Sequence, residues 1–512
     1  MDTLKSTKFP MEAGLVAGIV AAAFVIRWHY TSFHPVMVPD YDGAEYIRQA
    51  ENFLAGRRFY TVFMPPGMPL LISAALKFFR EPQTAGMFVS ALFGSGLCAA
   101  VYLFTKELFD RKAATVAAGL IATFPQLVII STWVMSESAF ACLLFMGLYA
   151  GLVFRRRRGP VFALLYGAVF GAAYLVRPEA LFFFVGSSLI ILAWELRAGC
   201  ADRKRLFALM ALAWLVCAAM CLPYMVYLKR EFGHWTISGK VQYNLYQGVS
   251  YKTGTLRFIA ENPGILLGKY LDQAHIIADL AKEFYPAAIL ALAAAGCLLS
   301  YFIGRHKGAG LLYMLTIPAY VCLLPFYFVD SRILGPYYSI PLIWAAVGTT
   351  FIEDRLLGRP RFRPAYRFHP LSALFVAALA AYSISWMGEY YDSPEMKSQE
   401  QYIEQRYLVS AMWLKSHSLP GDKVLSRELL LVFYTGREYI NLPDYPPNCV
   451  WLLAREKGAR YVIVDDTCIN KRPSLGPLLA PLLGTTLEYP GFRLRYTDIR
   501  YGVLVYSVED TI

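Results

Sequence analysis

The sequence predicts a polytopic α-helical membrane protein of about eleven transmembrane helices with a small α/β domain at its C-terminal end. Three observations predict it. Apolar runs of about 18 residues or more recur through the first three quarters of the chain, each long enough to cross a ~30 Å hydrocarbon core. Charged residues are 17% of the 512, well below the roughly 25% of soluble domains. Beyond residue 389 the apolar runs give way to short alternating helical and extended patterns. The formal net charge of +12 would suit a nucleic-acid partner. Here the basic residues sit in short loops between apolar runs, as orientation in a membrane requires, so no nucleic-acid partner is expected.

The expected spans are 10–28, 84–105, 113–131, 133–154, 160–176, 179–195, 206–228, 286–304, 310–329, 335–352 and 370–388. The first resembles a signal peptide, with Lys5 and Lys8 ahead of an apolar run, but it shows no small-residue cleavage site and reads as an uncleaved span. With the N-terminus in the cytoplasm, one side receives Lys106, Arg111 and Lys112; Arg155 to Arg158; Arg197, Arg203, Lys204 and Arg205; Arg305 and Lys307; and Arg355, Arg359, Arg361, Arg363 and Arg367. Every strongly basic loop falls on that side, which supports the count. The expected location is the inner (plasma) membrane, with the C-terminal domain periplasmic or extracellular.

The other side receives a first outer loop at 29–83, a second at 229–285 and the tail at 389–512, joined by tight turns around Arg177 and around Asp330 to Arg332. A transmembrane domain of 1–388 and an outer α/β domain of 389–512 follow. In the second loop, NPGILLGKYLDQAHIIADLAKEF has apolar residues at three- and four-residue spacing, the pattern of an amphipathic helix on the membrane surface or of a lid. In the tail, WLLAREKGARYVIVDD reads as helix, Gly stop and a strand over Tyr461 to Val464. Asp465 and Asp466 then read as a solvated turn or a metal-binding pair. Of nine cysteines only Cys449 and Cys468 fall in the outer domain, where they could pair if that side is oxidising.

Function should lie where the outer segments meet. Asp40 and Asp42 stand where a helix starts. Ala44, Ile47, Ala50, Phe53 and Leu54 repeat at helical spacing, and Gly56 stops the run. An aspartate there is stabilised by the macrodipole and free amides, so Asp42 reads as an N-cap, as a carboxylate base, or as both. Glu137 lies near membrane depth, where an ionisable residue is expensive and therefore a functional candidate; the plainer reading has it bonded to Ser136 or Ser138. Arg177 and Arg332 lie at outer span ends, against the positive-inside trend. That placement suits an anionic ligand such as a phosphate, although such arginines also snorkel to headgroups.

The run DGAEYIRQAENFLAG (Asp42 to Gly56), followed by MPPGMPLL (Met64 to Leu71), resembles the first outer loop of the GT-C glycosyltransferases. The nearest groups are the family 39 relatives, protein O-mannosyltransferases and lipid A aminoarabinose transferases. The Ser136-Glu137 pair, the Arg177-Pro178-Glu179 segment, the R-x-x-x-P segment from Arg332 and a tail with W-L-K, G-D-K-V, Y-T-G-R and Y-V-I-V-D also fit, so the resemblance covers nearly the whole chain. It implies a GT-C fold that moves a sugar from a polyprenyl-phosphate donor to an acceptor hydroxyl of a lipid, glycan or protein on the outer face. Asp42, or Asp40 beside it, would act as general base, with Glu137 as a further carboxylate and the Tyr46 helix at the substrate. A single displacement with one base gives inversion. A divalent cation is used by some members and not by others, so the metal stays open. The aminoarabinose transferases carry a lysine just before the double proline, where this chain has Met64. Phosphate binding then falls to Arg57, Arg58, Lys240 or Arg332, and lipid A is put in doubt as acceptor. The competing readings are a transporter or flippase of a lipid-linked sugar, for which no internal repeat appears, and a non-catalytic scaffold, which has no need of these charges on one side.

Overall fold

The computed structural model describes residues 8–33, 41–57, 61–240, 261, 263–303, 307–357, 370–485 and 489–510. It divides into two compact units, Met1–Pro35 with Tyr46–Met387, and Val36–Glu45 with Gly388–Ile512.

The first unit is a helical bundle. In order come α1 (Lys8–Phe33), α2 (Tyr41–Leu54), α3 (Gly67–Ala75), α4 (Pro82–Leu108), α5 (Arg111–Thr123), α6 (Pro125–Ile130), α7 (Ser136–Arg157), α8 (Pro160–Val176), α9 (Ala180–Arg197) and α10 (Arg203–Phe232). Then follow α11 (Pro263–Phe284), α12 (Ala287–Ile303), α13 (Lys307–Met314), α14 (Thr316–Val321), α15 (Ser331–Leu334), α16 (Ser339–Leu356) and α17 (Pro370–Asp392). Each of the eleven apolar segments is helical. By length and apolar character, seven helices among the described residues could cross a membrane, or eight if α11 and α12, bent by 113°, are one span. Part of the shortfall has local causes. The third segment breaks at Pro125 into α5 and α6, and α8 has only 17 residues.

Local chemistry sets the ends. Glu81 caps α4 by accepting from the amide of Gln83 at 2.9 Å, with Pro82 in the first turn. Asp110 caps α5 through the amide of Ala113 at 2.9 Å. α7 opens on Glu137 and closes on Arg155, Arg156 and Arg157, so both termini complement the helix dipole. α4 packs against α1, α5 and α7, and α8 against α7 and α10. Gly56 ends α2 with φ +66°, as its position in the sequence suggests.

The second unit holds α18 (Pro394–His417) and a five-stranded sheet of β1 (Lys423–Ser426), β2 (Glu438–Asn441), β3 (Ala459–Asp465), β4 (Phe492–Asp498) and β5 (Val503–Val508), with α19 (Leu430–Phe433) between β1 and β2 and α20 (Pro447–Lys457) before β3. The strand order is β2-β1-β3-β5-β4, parallel from β2 to β3 and antiparallel beyond. Val462 and Val464 of β3 enter one core with Leu425 and Leu504, while Tyr461 and Ile463 enter another with Val424 and Val503. A strand covered on both faces must be apolar throughout, which explains the uninterrupted run at Tyr461 to Val464.

Two expectations for the tail are corrected. Asp465 is not in a solvated turn. It is buried, 2.9 Å from Arg406 Nη2 and 3.7 Å from Arg427 Nη2, and Arg406 also reaches Asp466 Oδ1 at 2.7 Å. Cys449 and Cys468 are free rather than paired. Cys449 is exposed on α20, whereas Cys468 is buried with its thiol donating to Asp465 Oδ1 at 3.2 Å.

Candidate functional site

Glu137 stands in the first turn of α7 and is buried. Arg177 caps the end of α8, and its guanidinium bridges two carboxylates. Nη1 donates to Glu137 Oε1 at 2.8 Å and Nε to Glu179 Oε1 at 2.8 Å. It also lies over the Phe140 ring at 5.8 Å. Arg332 belongs to α15, which Asp330 caps through the amide of Ile333 at 2.8 Å. Its Nε is 3.8 Å from Glu137 Oε1. The structure therefore brings together three residues singled out in the sequence, Glu137, Arg177 and Arg332, and adds Glu179. One buried polar atom there, Glu137 Oε2, has no hydrogen-bond partner among the described residues. An orphaned atom of this kind needs an explanation, and a ligand is one.

The electrostatics divide the labour. Two guanidiniums face two carboxylates, so the group is compensated. Arg177 is clamped and its side chain only 14% exposed, while that of Arg332 is 26% exposed with the longer ion pair. Arg332 is thus the more exposed of the two cations, and its Nη1 also reaches Met135 Sδ at 3.7 Å. A divalent ion at Glu137 and Glu179 would have to displace Arg177 from both, so the cluster does not fit a metal. Among the described residues no three His, Cys, Asp or Glu side chains form a metal-binding group.

The double-proline element abuts this cluster. α3 packs on α8, and a Cβ placed on Gly67 would lie 2.5 Å from the Leu175 carbonyl oxygen, two residues before Arg177. Only glycine lets the loop approach that closely. Met64 is buried, and Gln49 Nε2 donates to its Sδ at 3.8 Å. Tyr46 is buried on α2. Tyr224 Oη donates to the Thr61 carbonyl at 2.9 Å, and Gly239 rests on Val62, which seats Lys240 against the first loop. Arg57 is exposed just past α2. Asp42 lies in the first turn of α2, half-buried, in the stretch that groups with the C-terminal unit, where Ala44 packs with Leu429 and Leu430. Asp40 and Arg58 lie outside the described residues.

Tyr337 and Arg27 escaped the sequence reading, and Glu179 entered it only within the Arg177-Pro178-Glu179 segment. Glu179 had a signal, being two positions from Arg177. Tyr337 had none. Arg27 stands inside the first apolar run, and the rule that flags Glu137 flags it too.

The family described as dolichyl-phosphate-mannose-protein mannosyltransferase matches residues 64–227, a stretch that includes the double-proline element, Glu137 and Arg177. No curated protein sequence matches the chain. Among solved structures, ArnT from Cupriavidus metallidurans in the apo state aligns with a TM-score of 0.61 at 13% identity, covering 97% of this chain and 98% of that one. The same enzyme bound to undecaprenyl phosphate aligns at 0.58 and 13% identity, covering 96% and 98%. The oligosaccharyltransferase of Archaeoglobus fulgidus aligns at 0.56 and 17% identity, covering 98% of this chain and 75% of that one. The chain has the GT-C fold of integral-membrane glycosyltransferases: a multi-pass helical bundle with a small C-terminal sheet domain.

Proposed function

We propose that the protein is a polyprenyl-phosphate-sugar-dependent glycosyltransferase, acting on the outer face of the plasma membrane with its N-terminus in the cytoplasm. The observation that carries the reading is the compensated Glu137–Arg177–Arg332 cluster with the orphaned Glu137 Oε2, beside the loop motif that prompted the resemblance. Two neighbours of the same fold support it: one is a complex with undecaprenyl phosphate, and the oligosaccharyltransferase is also known in complex with a dolichol-phosphate.

The chemistry asks little of the protein. The bond from the anomeric carbon to the lipid phosphate breaks, and the bond to the acceptor oxygen forms with inversion. Arg332, with paired donors, neutralises charge on the departing phosphate. Arg177, clamped by Glu137 and Glu179, keeps the Glu137 carboxylate oriented toward Arg332. Asp42 takes the proton of the acceptor hydroxyl, which belongs to a lipid, glycan or protein. Sugar transfer from radiolabelled lipid-phosphate sugar into an acceptor extract tests the reading. Arg332→Ala is expected to raise the donor KM roughly 10- to 100-fold, the range for one hydrogen bond to a charged group. Asp42→Asn is expected to abolish turnover while Asp40→Asn retains it. Loss with Asp40→Asn alone would move the base by two residues. Wild-type kinetics in Arg332→Ala and Asp42→Asn together would refute the assignment. Movement of labelled lipid across the bilayer without its consumption would replace the transferase by a flippase.

A further inference from the structure

Arg27 is the least expected charge in the bundle. It sits within α1 and is fully buried, and among the described residues no carboxylate pairs with it. An arginine so placed must be satisfied by neutral acceptors or pay several kcal/mol in desolvation, on the order given for buried ions. Its donors show what it does. Nη1 donates to the carbonyls of Ala23 and Ala122, each at 3.1 Å, and Nη2 to that of Ile121 at 3.2 Å. Those last two carbonyls end α5. The residue four places after Ile121 is Pro125, which has no N–H to give. The guanidinium supplies the missing donors and faces the negative end of the helix dipole.

The fourth contact leads elsewhere. Arg27 Nε donates to Ser131 Oγ at 3.2 Å, and that hydroxyl donates in turn to the Leu127 carbonyl at 2.5 Å. Ser131 Oγ also lies 3.2 Å from Ser138 Oγ. Ser138 follows Glu137 in the first turn of α7. Ser131, Glu137, Ser138 and Gly94 border one small cavity of about 10 Å³, closed on another side by Gly335 of the Arg332 segment. A polar thread therefore runs from α1, through the break at Pro125, to the turn that carries Glu137.

We propose that Arg27 and Ser131 are positioning residues for Glu137. They fix the break between α5 and α6, and through Ser138 they fix the first turn of α7, so that Glu137 Oε1 meets both Arg177 and Arg332. The inference rests on the reading of the Glu137–Arg332 cluster as the donor phosphate site.

Ser131→Ala keeps the three carbonyl bonds of Arg27 and cuts only the thread. Donor KM and kcat are measured in full-length Ser131→Ala, Ser138→Ala, the double variant and Glu137→Gln, with thermal midpoints alongside. Ser131→Ala is expected to raise the donor KM about 3- to 10-fold, as for one lost neutral hydrogen bond, and to lower the midpoint as well, because the buried Arg27 Nε loses its acceptor. Because the two serines act in series, the double variant is expected to be no worse than either single one. A serine that serves only packing would lower the midpoint and leave the KM of the folded enzyme alone, and that result overturns the inference. Additive effects of the two serines overturn it as well. If Glu137→Gln weakens donor binding but Ser131→Ala does not, the positioning role falls and the phosphate-site reading stands. If Glu137→Gln leaves donor binding unchanged, both fall. Should Ser131→Ala not accumulate, Ser138→Ala alone carries the same comparison.

Discussion

Replacing Gly67 by alanine tests how tightly the double-proline loop is tied to the arginine cluster. The new Cβ would lie 2.5 Å from the Leu175 carbonyl oxygen, 2.6 Å from its carbon and 2.8 Å from the Val176 nitrogen. Ordinary contact begins at 3.4 Å, so α3 and the end of α8 must separate by about 0.9 Å. All three atoms are backbone, and no rotamer change relieves them. Overpacking of this kind costs about 1–3 kcal/mol. The larger effect is kinetic. Arg177 follows Val176 directly, and misplacing a positioned group by about 1 Å costs on the order of 100-fold in rate. The assay is sugar transfer per folded molecule in membranes at matched expression, with the thermal midpoint measured beside it. Gly18→Ala in α1, where an added Cβ meets nothing within 4 Å, is the control and should turn over normally. Wild-type turnover in Gly67→Ala would refute the link between the loop and the cluster.

The C-terminal unit supplies the remaining predictions. Asp465→Asn leaves Arg406 and Arg427 without their shared buried counter-charge; it should destabilise the sheet by roughly 3–5 kcal/mol, the range for a broken buried pair, seen as faster amide exchange in β1 and β3 of the full-length protein. Burial raises the Glu428 carboxyl above its ordinary 4.5, with the Arg427 guanidinium opposing it. A raised folded value means its stabilising contribution is complete below the unfolded value and is lost as pH rises through the folded one. Glu428→Gln should therefore flatten the pH dependence of the unit's stability above about pH 4.5; an unchanged dependence on pH would count against this. Burial also pushes the Cys468 thiol up to about 12, so at pH 7.5 a maleimide should label exposed Cys449 and spare Cys468, and equal labelling would contradict the structure.

Much of this fold could be read from residue order because a membrane imposes length and sidedness on apolar runs. The eleven helical segments follow from that, and so do Glu137, Arg177 and Arg332, which stand out as charges at span ends. The partners of those charges were less legible. That Arg177 is held between Glu137 and Glu179 depends on how α7 and α8 pack, which no spacing encodes. Asp465 reads as a turn residue because its neutralising arginine, Arg406, lies 59 positions away on α18. β5 escaped notice although its run VLVYSV is apolar, and β2 and β4 escaped it for a different reason. They are the edge strands of the sheet, and the arginines of β4 interrupt the apolar pattern with exposed side chains. Arg27 was legible and passed over, since it lies close to the expected end of its span.

The packing of Ala44 on Leu429 and Leu430 has a consequence in time. These contacts join positions 385 residues apart in the chain. At about 5–20 residues per second of synthesis, the segment bearing Asp42 is made roughly 20–80 s before its packing surface exists. During that interval the first outer loop must wait, half-made, for the ribosome to reach the tail. A chain cut short anywhere before the sheet would leave that segment without its seat, so only a finished polypeptide can complete the unit that holds Asp42.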